Sequence, residues 1–210
     1  MIIQGRYLIT RDGARIGDER FRFRGHLIES EVELSWPSPH RRRLHIALDT
    51  ARSVNEIEIE LLEAGETTRG RYRIDRSAAT LRALVQPPAG ASIERVVPFG
   101  EEPELVFPSP LSSFLSVGRL HLWPGERRDV PAVVVQVPTL LPELNRVRFQ
   151  RLPDVELLSP QAGTLVLADY LAEPLEGPAL ETRFQSNLLG LPLRMRLRTP
   201  DAVGEYVLVE

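Results

Sequence analysis

From position 20 to position 76 the chain alternates charged and apolar residues one for one. Arg20-Phe21-Arg22-Phe23-Arg24, Glu31-Val32-Glu33-Leu34, Glu56-Ile57-Glu58-Ile59-Glu60-Leu61 and Arg71-Tyr72-Arg73-Ile74 all repeat with period two, and the rhythm returns in Leu193-Arg194-Met195-Arg196-Leu197-Arg198. Successive side chains on a strand point to opposite faces, so each stretch reads as a strand with one wet and one dry face. Several such strands in sequence describe an antiparallel sheet solvated on one side. The dry face carries Phe21, Phe23, Val32, Leu34, Leu44, Ile46, Leu48, Ile57, Ile59, Leu61, Tyr72, Ile74, Leu193, Met195 and Leu197. Each such side chain gains about 1.5–3 kcal/mol on burial, so this face requires a cover.

The spacing predicts strands at 2–10, 14–24, 27–35, 41–50, 54–63, 67–75, 79–86 and 91–98. Asp12-Gly13 marks the first hairpin, and Gly25, Gly65 and Pro87-Pro88-Ala89-Gly90 mark later joints. The pattern stops at 101–124, a stretch without period two that holds four prolines. There Ser109-Pro110 offers a cap and a first-turn proline for a helix at 110–118, the one helix the pattern supports. Strands resume with the apolar run at 130–137 and continue near 144–151, 154–158, 163–171, 179–185, 191–199 and 203–209. A sheet of that many strands must curl or split. The reading is mostly β, with one domain over 1–210: a large, strongly curved antiparallel sheet, half-barrel or barrel, with a short helical plug near 110–118. Pairing of the first and last strands is expected to separate the closed from the open form.

A net charge of −3 argues against bulk attraction to nucleic acid. There is no cysteine, hence no disulfide and no thiolate chemistry. No apolar run reaches the roughly 18 residues of a membrane helix, and the charged start of the chain does not read as a secretory leader, so a cytoplasmic protein is expected. All basic residues are arginine, which suits bidentate binding of phosphate or carboxylate but equally reflects a GC-rich coding sequence.

The opening Gly5-Arg6-Tyr7, the stretch Asp12-Gly13-Ala14-Arg15-Ile16-Gly17-Asp18-Glu19-Arg20-Phe21, the late Gly190-Leu191-Pro192-Leu193-Arg194-Met195 and the layout of meander, helical plug and meander resemble the LolA/LolB-like half-barrel superfamily of lipoprotein carriers and glycolipid-binding proteins. That resemblance implies a curved antiparallel sheet around an apolar cavity lidded by short helices. The leader expected of a periplasmic carrier is missing from this reading, and the helical content is thinner than such carriers show.

No catalytic constellation emerges: there is no Gly-x-Ser-x-Gly elbow and no glycine-rich phosphate loop, and no cofactor or metal is implied. His40 and His45 differ in strand parity, which opposes a shared metal. Arg41, Arg42 and Arg43 are candidates for holding an anionic head group, or else form a basic run entering a strand. Glu56, Glu58 and Glu60 share one strand face and are expected to pair with arginines such as Arg71 and Arg73. Phe107, Leu111, Phe114 and Leu115 are the candidate lid, and Trp36 and Trp123 are candidate rim residues or caps on the core's edge. The expectation is a binding protein for an apolar or amphipathic ligand, lipid or glycolipid, with a dimerisation or interaction module as the alternative. A hydrolase or isomerase acting inside a barrel would need titratable groups lining a cavity.

Overall fold

The computed structural model describes residues 2–50, 53–107, 109–159, 163–177 and 179–209. The first eight strands are β1 (Ile2–Arg11), β2 (Ala14–Arg24), β3 (Leu27–Leu34), β4 (His40–Leu48), β5 (Val54–Glu63), β6 (Glu66–Asp75), β7 (Thr80–Gln86) and β8 (Ile93–Pro98). A short β9 (Glu104–Val106) precedes α1 (Pro110–Leu120). The second meander comprises β10 (Arg127–Val135), β11 (Pro142–Arg151), β12 (Val155–Ser159), β13 (Gly163–Pro174), β14 (Glu181–Ser186), β15 (Pro192–Thr199) and β16 (Ala202–Leu208).

The period-two reading of the first half matches these bounds to within a residue or two. Phe21, Val32, Leu44, Ile46, Ile57, Ile59, Leu61, Tyr72, Ile74 and Met195 are buried, whereas Arg41, Arg43, Glu58, Arg71 and Arg73 between them are exposed. On the wet face, charges pair across strands as expected. Glu56 meets Arg71 and Arg73, Glu60 meets Arg69, and Glu205 meets Arg194 and Arg196.

One correction concerns 101–124, which holds a strand as well as the helix. β9 pairs parallel with β10 through Ala132↔Glu104 and Val134↔Val106, so the sheet is antiparallel except at this edge. Three residues are too few for a period to show. A second correction concerns closure. β1 and β16 do pair, from Tyr7↔Leu208 to Arg11↔Gly204, yet this does not close a barrel. The strand order runs β8-β7-β6-β5-β4-β3-β2-β1-β16-β15-β14-β13-β11-β10-β9, with β12 attached to β13. The pairing of the two ends of the chain therefore lies in the middle of the sheet. The two ends of this order are β8 and β9, which are consecutive in sequence, and residues 99–103 carry the chain between them. The result is one open, curled sheet.

The curl also resolves the shortage of cover, because the two halves of the sheet cover one another. The Tyr72 hydroxyl of β6 donates to the carbonyl of Leu140, in the turn between β10 and β11. Gly70 makes this reach possible: a Cβ there would sit 2.5 Å from the Tyr72 hydroxyl, so only glycine lets the ring lean back along its own strand. Val130, Val133, Val135 and Leu140 join Ile57, Ile59, Tyr72 and Leu81 in one core.

The helix runs two residues beyond its expected end and is capped as read. Ser109 is extended, its hydroxyl accepts from Leu111 N at 3.2 Å, and Pro110 fills the first turn. It stops at His121 in the left-handed conformation. Arg119 in the last turn binds Glu104 at 2.6 Å, fastening the helix to β9.

Candidate functional site: an apolar mouth and a buried polar cluster

Both ends of the curl are built from turns, but they differ. At one end lie the turn joining β14 to β15, where Gly190 packs against Val117 and Phe114 of α1, and the segment joining β4 to β5. Leu115 and Arg119 of the helix line a crevice of only about 30 Å³ there, together with Val54, Ile74 and Leu105. At the other end lie the β5–β6 and β7–β8 hairpins and the β10–β11 turn. Between them opens a mouth of about 490 Å³. Leu61 and Val85 form its inner wall, Ile93 and Leu141 its sides, and Pro87, Pro88 and Pro138 its lip. Leu61 and Val85 belong to the core and are themselves buried, so the mouth ends against the edge of the dry face, and its sides and lip are what face water. Its volume falls within the roughly 300–1,000 Å³ of small-molecule sites. A larger concavity of about 850 Å³ crosses the outer face of β1–β4, lined by Arg6, Arg20, Arg22, Glu29, Glu31 and Arg43. It is shallow and charged, and Arg43 and Glu31 on its floor neutralise each other at 3.1 Å. The mouth is the better candidate because it is apolar and opens onto the core.

The expected lid residues lie in the core or packed against it. Phe107 and Leu111 are fully packed. Phe114 is half-buried and meets Phe23 edge to face at 5.0 Å, extending a chain of rings through Phe21 to Tyr7. Leu115 lines the small crevice beside Val54 and Ile74. None of the four touches the mouth. The tryptophans lie at opposite ends. Trp36, in the β3–β4 loop, is partly exposed beneath the Arg11 guanidinium, 3.5 Å from the ring centroid. Trp123, after the helix, is 78% exposed. Neither lines the mouth. The three consecutive arginines do not form one site, because strand parity separates them. Arg41 pairs with Glu33 and Glu31, and Arg43 with Glu31 and Glu60, on the outer face, while Arg42 points into the core with 3% exposure.

Arg42 leads to the feature that sequence reasoning missed. Opposite it in the core is Glu19 of β2, fully buried. Its Oε1 accepts from Ser30 Oγ of β3 and from Ser109 Oγ at the start of α1, each at 2.6 Å. Burial pushes the Glu19 carboxyl up from its usual range, against the opposing influence of the Arg42 charge and the two serine hydrogen bonds. Arg42 also hydrogen-bonds the hydroxyl of Tyr206, whose pKa is pushed up to about 12, mainly by burial. Tyr7, close enough to feel the Glu19 charge, donates to the carbonyl of Pro192 at 2.8 Å. The cluster thus joins β1, β2, β3, β4 and β16 to the helix cap. None of the concavities described above is lined by Glu19, Arg42, Tyr206 or Ser109, which suits a structural tie rather than a reacting centre. A signal was available in parity: Glu19 lies two residues before Phe21, and Arg42 two before Leu44, so both charges fall on the dry face. Among the described residues, no group of three or more His, Cys, Asp or Glu side chains is arranged to hold a metal ion, and no helix is long and apolar enough to cross a membrane.

Comparison with known proteins identifies the fold alone. No protein-family model matches the chain, and no curated protein does. Among solved structures, the chain is similar to a DUF1089 family protein from Pseudomonas aeruginosa, at 20% identity over 87% of this chain and 88% of that one, with a TM-score of 0.61. It is also similar to a β-barrel-like protein of the domain of unknown function DUF1849 from Brucella abortus, at 9% identity over 99% of this chain and 95% of that one, with a TM-score of 0.65. A barrel-like fold is common to all three.

Proposed function

We propose that this protein binds an apolar or amphipathic small molecule, a lipid or glycolipid, with its hydrocarbon part in the mouth between the β5–β6 and β7–β8 hairpins and the β10–β11 turn. The observation that carries this reading is the mouth itself, about 490 Å³ walled by Leu61, Val85, Ile93 and Leu141. Apolar surface of this kind, held open by a rigid sheet, costs free energy in water that a hydrocarbon chain recovers. The sequence resemblance to LolA/LolB-like half-barrels supports the same ligand class. Nile red titration of the purified protein, with native mass spectrometry of co-purified material, tests it. Saturable dye binding that Leu141→Asp abolishes, with the fold intact by circular dichroism, is the expected result. Absence of both dye binding and co-purified lipid overturns the reading.

A second reading, self-association through a sheet edge, draws on one observation. β8 ends the sheet with one side unpaired and Val96 is 52% exposed. The same strand carries Glu94, Arg95 and the terminal Pro98, devices that blunt an edge against pairing. Sedimentation over a range of concentrations separates the two, since a strict monomer excludes self-association.

A further inference from the structure

We infer that the ligand's polar end is cationic, an amine or quaternary ammonium group, and that anionic amphiphiles are rejected. This rests on the mouth as the binding site and concerns its charge. The residues lining the mouth include two ionisable groups, Glu63 and Glu66, and no arginine or histidine. They face each other in register at the end of the β5–β6 hairpin, an arrangement of like charges that is unfavourable unless something neutralises it. Like charges also stand opposite one another at Arg6↔Arg20, Arg73↔Arg82 and Arg183↔Arg196, but the glutamates Glu31, Glu33, Glu56, Glu60 and Glu205 each have an arginine partner. At the mouth, Glu63 accepts from the Ser38 hydroxyl, and neither it nor Glu66 forms an ion pair among the described residues.

The surrounding elements do not supply the missing positive charge. His40 lies opposite Glu63 in register, but its Nδ1 is 3.0 Å from the Ser38 carbonyl, turned to its own loop. Arg41, opposite Leu62, is engaged with Glu33 on the outer face. Beyond the β10–β11 turn stands a further carboxylate, Glu143, held by Gln136 at 2.6 Å. An alkyl chain seated against Leu61 and Val85 would place its head group at this rim, where an ammonium is attracted by the glutamates and a carboxylate or phosphate is repelled.

The test compares three probes of one chain length, each below its micellar concentration: dodecyltrimethylammonium, dodecyl maltoside and dodecanoate, displacing Nile red. The expected order is ammonium first and dodecanoate last, with each step about twofold to tenfold in affinity and the spread narrowing as salt is raised. Glu63→Gln with Glu66→Gln should collapse the spread between the ammonium and dodecanoate. Dodecanoate binding as tightly as the ammonium, or a spread that survives in the double variant, overturns the inference while leaving the mouth as a binding site. Failure of all three probes to displace the dye overturns the binding site and the inference together.

Discussion

Ser109, which caps α1, donates its hydroxyl hydrogen to Oε1 of Glu19, ninety residues earlier in the chain, at 2.6 Å. The same oxygen of Ser109 accepts from Leu111 N. One side chain thus starts the helix and pins that start to the inner face of β2. The helix's buried side, with Ser112, Ser113 and Ser116 beside Leu111 and Leu120, lies against the core rather than over an empty cavity.

Ser109→Ala removes the cap and one of the two hydrogen bonds to a buried carboxyl at once. The loss expected is about 1–3 kcal/mol of unfolding free energy, read by urea denaturation. Ser77→Ala, which removes an exposed hydroxyl donating to Asp75, is the control and should change stability by less than about 0.5 kcal/mol.

Glu19 gives stability a pH dependence of defined sign. Its folded pKa lies above the unfolded one because burial disfavours the charge. The neutral acid is therefore the form favoured by folding, and its contribution is complete below the unfolded pKa and lost as pH rises through the folded one. Glu19→Gln keeps a carbonyl acceptor for Ser30 and Ser109 but does not titrate. Comparing melting temperatures between about pH 5 and pH 8 should show the variant gaining on the wild type as pH rises. A difference independent of pH would refute the assignment. Glu56 has the opposite sign: despite its partial burial, Arg71 and Arg73 hold its pKa down, so its contribution is lost in acid.

Gly70 and Tyr72 should behave as a coupled pair. Gly70→Ala drives a methyl into the Tyr72 ring and should cost about 1–3 kcal/mol. Tyr72→Phe removes the hydroxyl and leaves the Leu140 carbonyl without that donor, costing about 1 kcal/mol or somewhat more. With the hydroxyl gone, the ring is free to shift, so the double variant should be less unstable than the sum of the two singles. A double-mutant cycle by chemical denaturation checks this, and strict additivity would refute the coupling.

Much of the architecture was legible in the alternation, because side-chain parity on a strand is a local property. The bounds of β1–β8, the start of α1 and the pairing of Glu56 with Arg71 and Arg73 follow from neighbouring residues alone. The parallel β9 escaped because three residues carry no period and its partner, β10, lies beyond the helix. The site was less legible. Phe107, Leu111, Phe114 and Leu115 were read as a lid over a cavity, whereas they lie in the core or packed against it, because where the helix sits is set by distant elements such as β9 and β15. Glu19 and Arg42 were readable by parity as charges on the dry face; that they share one cluster with Ser109 was not.

What the sequence by itself determined is a wet face and a dry face, a single helix placed between two meanders, and a need for cover greater than that helix supplies. Tertiary structure decided what the cover is. The chain's two ends pair in the middle of the sheet, the ends of the strand order fall at β8 and β9, and the curl lays the β10–β11 turn over Tyr72 and leaves a mouth beside it. These outcomes rest on contacts such as Tyr72 with Leu140 and Ser109 with Glu19, between residues far apart in the chain. Period-two patterning specifies which way a side chain faces. It carries no information about which distant strand that face will meet.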